Sequence, residues 1–353
     1  MKKLFVLLVA AAAAWPAVAG VLDNLRPAYT EKDVKVYRDL AYGPRVDLPT
    51  EGAGFRKLLG GWGGPHGIRC GRHRTGQTYD VYLPKTVTAE TPVFLYVHGG
   101  TWSQMVDKDG TSVDLLMALA TRGYLVFSMD YLLQNDLLTG GESKPREGAT
   151  FAAMLADVDA MMAKVAEIRG DLKISTGKVF MGGVSAGAHL SLLYGFDEGD
   201  ASRLKLPLRH PLPLAGVVDI VGPTDFTLPK EVTAKAFSFP LFVGSGKKME
   251  TLFGWLLGLK ADDDPAHVQS ELKRYSPAHM VGTKAPKAIL AYAETKKGSN
   301  TDSILSLQNH TSITNALTAK NLAFAEKIFV GSNHMSLEKD AIPFVLEELE
   351  KLR

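Results

Sequence analysis

Short apolar runs alternate with longer amphipathic segments over most of this chain, which limits its possible folds more than any other feature. Seven runs have the β-branched and aromatic content and flanking turn residues of strands: 78–83, 92–99, 124–131, 178–183, 214–222, 287–293 and 325–330. Four segments have apolar residues at helical spacing: 110–123, 149–170, 188–196 and 341–352. This alternation predicts an α/β fold with a mostly parallel central sheet and helices on both faces. The first two strands, which no helix separates, could be an antiparallel pair.

Two regions interrupt the alternation. Residues 20–75 are rich in glycine, proline and charge, and we expect an N-terminal extension packed on a domain of residues 76–353. Residues 226–275 are predicted to form a cap-like insertion over the C-terminal edge of the sheet, where open α/β folds bind ligands. A helix inside this insertion should begin with Asp264 as N-cap and Pro265 as its first residue.

The N-terminus has the features of a secretory signal peptide. Lys2 and Lys3 precede an apolar run, and Ala17–Ala19 offers small residues at a cleavage-site spacing. We expect a signal peptide of residues 1–19, cleavage near Ala19–Gly20 and an exported mature chain. No later stretch has the roughly 20 apolar residues of a membrane span, so no stable membrane insertion is expected.

Composition excludes several classes of partner and cofactor. The 353-residue chain has a formal net charge of +2 and no block of like charges, so no nucleic-acid partner is expected. No histidine, cysteine or carboxylate spacing matches a metal motif, and neither a metal nor another cofactor is predicted. Cys70 is the single cysteine, which excludes an intrachain disulfide and is interpreted as a structural thiol.

The segment GVSAG, residues 183–187, is the strongest chemical motif. A predicted strand precedes it and a predicted helix follows it, which is the context that a nucleophile elbow requires. Glycines on both sides of Ser185 would let strand and helix approach closely. Ser185 would then lie at a helix N-terminus, where partial positive charge favours a developing oxyanion.

The segment VHGGTW, residues 97–102, follows another predicted strand. Consecutive glycines can present backbone N–H groups to an oxyanion with no side chain in the way. The predicted oxyanion donors are the N–H groups of Gly99, Gly100 and Ala186. His98 and Trp102 are the predicted substrate-binding residues; His98 should also hydrogen-bond locally, and Trp102 could instead pack against the insertion.

These motifs together resemble the α/β-hydrolase superfamily, and within it the esterases of the hormone-sensitive-lipase, carboxylesterase and arylformamidase type. The HGG turn precedes G-x-S-A-G by about 85 residues, and the segments FSMDYLL and VGPTDF also fit, although Leu132 stands where that group often has arginine. The similarity covers roughly residues 75–350. It implies an α/β-hydrolase fold, a serine nucleophile and a small-molecule ester substrate.

A serine nucleophile requires a base and an acid. His334 lies just past the last predicted strand, in the kind of loop that carries the catalytic histidine in this superfamily. Two acids are possible, Glu294 at the end of a strand and Asp302 at the start of a helix. The segment TDSILSLQ resembles the region after the acid in arylformamidases, which favours Asp302, although Asp302 could also simply cap its helix.

The resulting functional hypothesis is an exported serine hydrolase that cleaves carboxylic esters. An amidase or formamidase of the same fold is one alternative, suggested by the TDSILSLQ similarity. A non-catalytic binding protein is another, suggested by the irregular loop between Glu294 and Asp302.

Overall fold

The computed structural model describes residues 22, 25–45, 50–51, 72–73, 76–103, 108, 112–135, 144–197, 204–228, 246–294, 302–334 and 336–353. The side chains of residues 50, 51, 72, 73, 246–249 and 302–306 are outside this description. The predicted signal peptide, Cys70, residues 229–245 of the insertion and the loop 295–301 lie outside the described residues.

The described strands are β1 (Tyr29–Glu31), β2 (Val34–Ala41), β3 (Thr50–Glu51), β4 (Arg72–His73), β5 (Thr78–Leu83), β6 (Val93–Val97), β7 (Leu125–Met129), β8 (Val179–Val184), β9 (Gly216–Ile220), β10 (Lys287–Glu294) and β11 (Phe324–Val330). The described helices are α1 (Val113–Thr121), α2 (Phe151–Asp171), α3 (Ala186–Phe196), α4 (Gly246–Leu257), α5 (Pro265–Arg274), α6 (Pro277–Met280), α7 (Asp302–Ala319) and α8 (Leu337–Glu350).

The seven predicted strands correspond to β5 through β11, and the four predicted helices to α1, α2, α3 and α8. Helix α5 has Asp264 as N-cap and Pro265 as its first residue, as predicted, although the Asp264 side chain makes no capping hydrogen bond. Helix α8 begins at Leu337, earlier than predicted. The prediction left out its first turn because Glu338 and Asp340 interrupt the apolar pattern there.

Nine of the described strands form one sheet in the order β1-β2-β5-β7-β6-β8-β9-β10-β11. Strands β7, β6, β8, β9, β10 and β11 run parallel to one another, which confirms the predicted mostly parallel sheet. Every residue of β6, β7 and β9 is buried, so both faces are covered at the centre of the sheet. Helix α1 packs against α8, and α2 packs against α3.

The predicted pairing of the first two strands is wrong in one respect. Strands β5 and β6 run in opposite directions, but they are not neighbours, because β7 lies between them. Strand β5 instead pairs antiparallel with β7 on one side and with β2 on the other. The sequence did not indicate β2, because Lys35, Arg38 and Asp39 interrupt its apolar pattern. Part of the predicted N-terminal extension therefore belongs to the sheet.

Buried ionic contacts fix Lys108, which lies between β6 and α1. The side chain of Lys108 is fully buried, and its Nζ lies 2.8 Å from carboxylate oxygens of both Asp39 and Asp80. The backbone N–H of Lys108 donates to Asp130 Oδ1 at 2.9 Å. Because a buried charge is tolerated only with partners, these contacts hold Lys108 against β2, β5 and the residue that follows β7.

No helix within the described parts of the chain has the length and apolar character needed to cross a membrane.

Candidate active site

Ser185 lies in a strained turn between β8 and α3. Its backbone has φ 54° and ψ −117°, a conformation that a non-glycine residue rarely adopts and that costs on the order of 1–3 kcal/mol. Two hydrogen bonds hold this turn: Ser185 N–H donates to Ile220 O at 2.8 Å, and Ser185 O accepts from His189 N–H at 3.0 Å. The strained conformation is therefore fixed by β9 on one side and by helix α3 on the other.

The glycines beside Ser185 provide the clearance that the sequence predicts. A Cβ on Gly183 would lie 2.1 Å from Val97 O, and one on Gly187 would lie 1.9 Å from the same oxygen. A Cβ on Gly182 would lie 2.6 Å from the Cβ of Val218. The end of β6 and the turn at Ser185 are thus in backbone contact, which a side chain at either glycine would prevent.

The glycine turn after β6 lies beside the end of β8. A Cβ on Gly99 would be 2.8 Å from Val184 O, so this position also requires glycine. Gly100 has φ 101°, and Thr101 and Trp102 follow with φ 55° and 56°. The turn therefore has an unusual left-handed backbone path immediately next to Ser185.

His98 is buried and forms part of this turn. Its Nδ1 donates to Gly99 O at 2.7 Å, which is the local hydrogen bond that the sequence predicts. The ring of Tyr131 stacks on the imidazole at 4.4 Å, and the Tyr131 hydroxyl donates to His98 O at 3.0 Å. Burial lowers the pKa of His98 to about 4, so the imidazole is neutral near pH 7. Its role in substrate binding stays a prediction.

Trp102 is 1% exposed. Its ring lies 5.7 Å from that of Phe253 on α4, so it packs against the insertion, one of the two roles that the sequence offers. Direct substrate binding by Trp102 stays a prediction.

His334 lies in the loop between β11 and α8, and neighbouring side chains fix that loop. Ser336 N–H donates to Asn333 Oδ1 at 3.0 Å, and Asn333 N–H donates to Ser336 Oγ at 3.1 Å. The Ser332 hydroxyl donates to Asp340 on α8 at 2.6 Å. Since β8 and β11 are parallel members of one sheet, Ser185 and His334 both follow its carboxyl edge.

The two candidate acids lie at the ends of different elements. Glu294 is the last residue of β10, and its backbone oxygen accepts from Gly331 N–H at 2.7 Å, at the base of the His334 loop. Its half-buried carboxylate has no hydrogen bond or ion pair among the described residues. Asp302 is the first residue of α7, and its side chain lies outside the described residues. The choice of Asp302 stays a prediction.

Asn309, which the sequence analysis did not identify, anchors helix α7. Its Oδ1 accepts from Thr224 N–H at 2.6 Å and from Asp225 N–H at 3.0 Å, and its backbone oxygen accepts from the Thr224 hydroxyl at 2.6 Å. These bonds fix α7, whose first residue is Asp302, to the segment that follows β9. A single buried asparagine gives no distinctive sequence pattern.

A buried carboxyl group behind Ser185 was also missed. Asp219 on β9 pairs in register with Gly183, and its Oδ1 accepts from Gly222 N–H at 2.7 Å. The Tyr292 hydroxyl lies 2.5 Å from Asp219 Oδ2 and 3.1 Å from Gly222 O. With an ionised Asp219, one hydroxyl proton is shared between two acceptors, whereas a protonated Asp219 can donate to Tyr292 while Tyr292 donates to Gly222. Consistently, burial raises the pKa of Asp219 to about 7.

Asp219 also supports a second strained residue. Val221 has φ 54°, which is a genuine outlier for a β-branched side chain. The bond from Gly222 N–H to Asp219 closes a short turn around Val221, and Val221 N–H donates to Ala291 O at 2.9 Å. The signal in the sequence was a lone carboxyl inside an apolar strand, which calls for a specific partner.

The sheet order, the strained serine turn and the glycine turn beside it define a protein of the α/β-hydrolase fold. The profile of the BD-FAE family, an α/β-hydrolase-type family, matches residues 79–310, and the chain belongs to that family. The predicted fold class and superfamily are thereby confirmed. No curated protein gives a significant match to the chain.

Solved structures of esterases are similar to this chain at low sequence identity. Inhibited Esterase B from Lactobacillus rhamnosis has 14% identity and a TM-score of 0.61, over 92% of this chain and 89% of that one. An esterase from Pyrobaculum calidifontis has 20% identity and a TM-score of 0.58, over 78% and 80%. A truncated carbohydrate esterase from gut microbiota has 15% identity and a TM-score of 0.57, over 92% and 100%. These similarities establish the shared fold.

Replacing Gly187 with alanine should destabilise the fold by about 3 kcal/mol or more, because the new Cβ would overlap the backbone oxygen of Val97. The matched control is Gly170→Ala near the end of α2, where a Cβ meets nothing within 4 Å and alanine should stabilise by up to about 1 kcal/mol. Urea unfolding of both variants checks this. Wild-type stability for Gly187→Ala would contradict the backbone contact.

Asp219→Asn should flatten the pH dependence of stability. The folded chain holds the Asp219 proton up to a pKa of about 7, whereas the unfolded chain releases it near the ordinary value of 3.8. Protonated Asp219 therefore raises the free energy of unfolding of the wild type at low pH. This stabilisation is lost as the pH rises towards 7 and above. The free energy of unfolding of the asparagine variant minus that of the wild type should therefore be greater at pH 8 than at pH 5, by a few kcal/mol. Parallel urea-unfolding profiles at the two pH values would contradict this.

Proposed function

We propose that this chain is an exported serine hydrolase that cleaves carboxylic esters through an acyl-enzyme. Ser185 is the nucleophile, His334 is the general base, and Asp302 is the acid that orients His334, with Glu294 as the alternative. The observation that carries the proposal is the strained Ser185 backbone, φ 54° and ψ −117°, between a buried strand and a helix N-terminus. Strain of this kind persists where the surrounding structure fixes it, and it occurs preferentially at functional sites.

The proposed reaction has two halves. His334 takes the proton of Ser185 Oγ while Oγ bonds to the ester carbonyl carbon. The C–O bond to the alcohol then breaks, and His334 returns the proton to the leaving oxygen. In the second half, His334 takes a proton from water, the hydroxide adds to the acyl carbon, and Ser185 leaves with that proton as the carboxylic acid is released.

Three backbone N–H groups are proposed to bind the oxyanion in both halves. Gly99 and Gly100 belong to the turn after β6, and Ala186 is the first residue of α3. The N–H groups in the first turn of a helix have no partner within the helix, and the helix dipole adds positive charge there. Donors fixed before the reaction stabilise a developing oxyanion more than mobile water does.

The proposed substrate is a small-molecule ester such as an acylated sugar or a small alkyl ester. Export, which residues 1–19 predict, suggests an ester present outside the cytoplasm. The similar structure named as a carbohydrate esterase from gut microbiota favours the acylated sugar.

Labelling with a fluorophosphonate tests the nucleophile. The mature wild-type protein should be labelled and should hydrolyse short-chain nitrophenyl esters. Ser185→Ala should not be labelled, and both Ser185→Ala and His334→Ala should lose several orders of magnitude in kcat. A wild-type protein that is neither labelled nor active would contradict the proposal and favour a binding protein. Faster turnover of a matched anilide than of the ester would favour the amidase alternative.

Two variants compared side by side test the acid. Asp302→Asn should lower kcat on the order of 10³- to 10⁴-fold, because His334 would lose the carboxylate that stabilises its charged form. Glu294→Gln keeps the same shape at the other candidate and should retain most of the activity. A larger loss for Glu294→Gln would reverse the assignment.

A further inference from the structure

The proposed oxyanion donors come from two separate chain segments, the turn at Gly99 and Gly100 and the first residue of α3, Ala186. An oxyanion accepts hydrogen bonds only from donors about 2.7–3.1 Å away, so the two segments must be held at a fixed spacing. Supporting residues must fix such a site to about 0.5 Å. An interaction that joins the two segments directly would set this spacing.

The indole of Trp102 connects the two segments. Its Nε1–H donates to Ala186 O at 3.2 Å, across 84 residues of sequence and in a buried setting. Trp102 belongs to the glycine turn, so one end of this bond lies on each half of the proposed oxyanion hole. A Cβ on Gly99 would lie 2.8 Å from Val184 O, so the segments approach closely there, but close packing alone does not set an orientation as a hydrogen bond does.

The backbone of Trp102 indicates that its side chain is needed. Its φ of 56° would suit glycine, which adopts this conformation without steric cost, whereas an aromatic residue is strained there. The turn is held in this conformation from outside, because Gln134 N–H donates to Trp102 O at 2.9 Å. A large residue at a position that suits glycine indicates that the indole has a use that offsets the strain.

Four rings fix the orientation of the indole. Phe151 on α2 and His189 on α3 contact it edge-on at 5.3 and 5.1 Å. Phe226 and Phe253, from the insertion, lie at 6.0 and 5.7 Å. Edge-to-face ring pairs have a preferred geometry, so these contacts hold the Nε1–H towards Ala186 before any substrate binds.

We propose that Trp102 is a positioning residue that sets the spacing of the two halves of the oxyanion hole through its indole hydrogen bond to Ala186. This inference rests on the proposed ester hydrolysis, because the spacing matters only if an oxyanion forms there. It differs from the substrate-binding role predicted from the sequence, since here the indole acts through Ala186.

An isosteric replacement isolates the hydrogen bond. In benzothienylalanine the indole N–H is replaced by sulfur, so the ring packing is kept and the donor is lost. This substitution at Trp102 should lower kcat for nitrophenyl esters about 10- to 100-fold with KM within twofold, a loss smaller than that from removing an oxyanion donor itself. Binding of an alkyl trifluoromethyl ketone, whose serine adduct carries the oxyanion, should weaken by the same factor.

The matched control is Phe180→Leu, which removes a buried ring that packs against Tyr124 at 6.2 Å, at the end of β8 away from Ser185. It should lower the melting temperature by several degrees while kcat stays within twofold of wild type. Wild-type kcat for the benzothienylalanine variant, or an equal loss for Phe180→Leu, would overturn the proposal for Trp102. A wild-type protein inert towards esters and fluorophosphonate is a different result, since it overturns the proposed function itself and with it the role of Trp102.

Discussion

The backbone contact between the end of β6 and the turn at Ser185 is the constraint on which the site depends. Val97 O occupies the space where a side chain of Gly183 or Gly187 would be, with a Cβ at 2.1 or 1.9 Å. Because both positions are glycine, the strand and the turn can touch. The glycine turn after β6 is thereby brought beside Ala186, and this close contact is required before the N–H groups proposed as oxyanion donors, on two distant segments, can face the same point.

The two flanks of this turn are held by different chemistry. On the β6 side, backbone packing and the indole of Trp102 fix the geometry. On the β9 side, hydrogen bonds among Asp219, Tyr292 and Gly222 fix it, and a neutral Asp219 satisfies every donor and acceptor in that set. Fully satisfied buried networks rigidify their surroundings. Ser185 therefore lies between the packed β6 side and the hydrogen-bonded β9 side. Its N–H donates to Ile220 O, next to Asp219 in the sequence.

Features whose signals are local in the sequence were predictable, and features that depend on distant partners were not. The turn at Ser185 was predictable, because strand, glycines and helix lie within about a dozen residues. Strand β2 was missed because its charged residues interrupt the apolar pattern, and its place in the sheet depends on pairing with the distant strand β5. The partner of Asp219 is 73 residues away and that of Trp102 is 84 residues away, so no local pattern indicates either bond.

The distribution of backbone strain supports an active site at the carboxyl edge of the sheet. Among the described residues with positive φ, exposed polar ones such as Lys173 and Asn321 lie in ordinary turns. The two large apolar ones, Trp102 and Val221, both lie next to the turn at Ser185. Each costs on the order of 1–3 kcal/mol, a large amount against a net stability of about 5–15 kcal/mol. Strain of this size persists where packing and hydrogen bonds hold the backbone, and a backbone so held presents its N–H groups in a fixed direction before a substrate arrives.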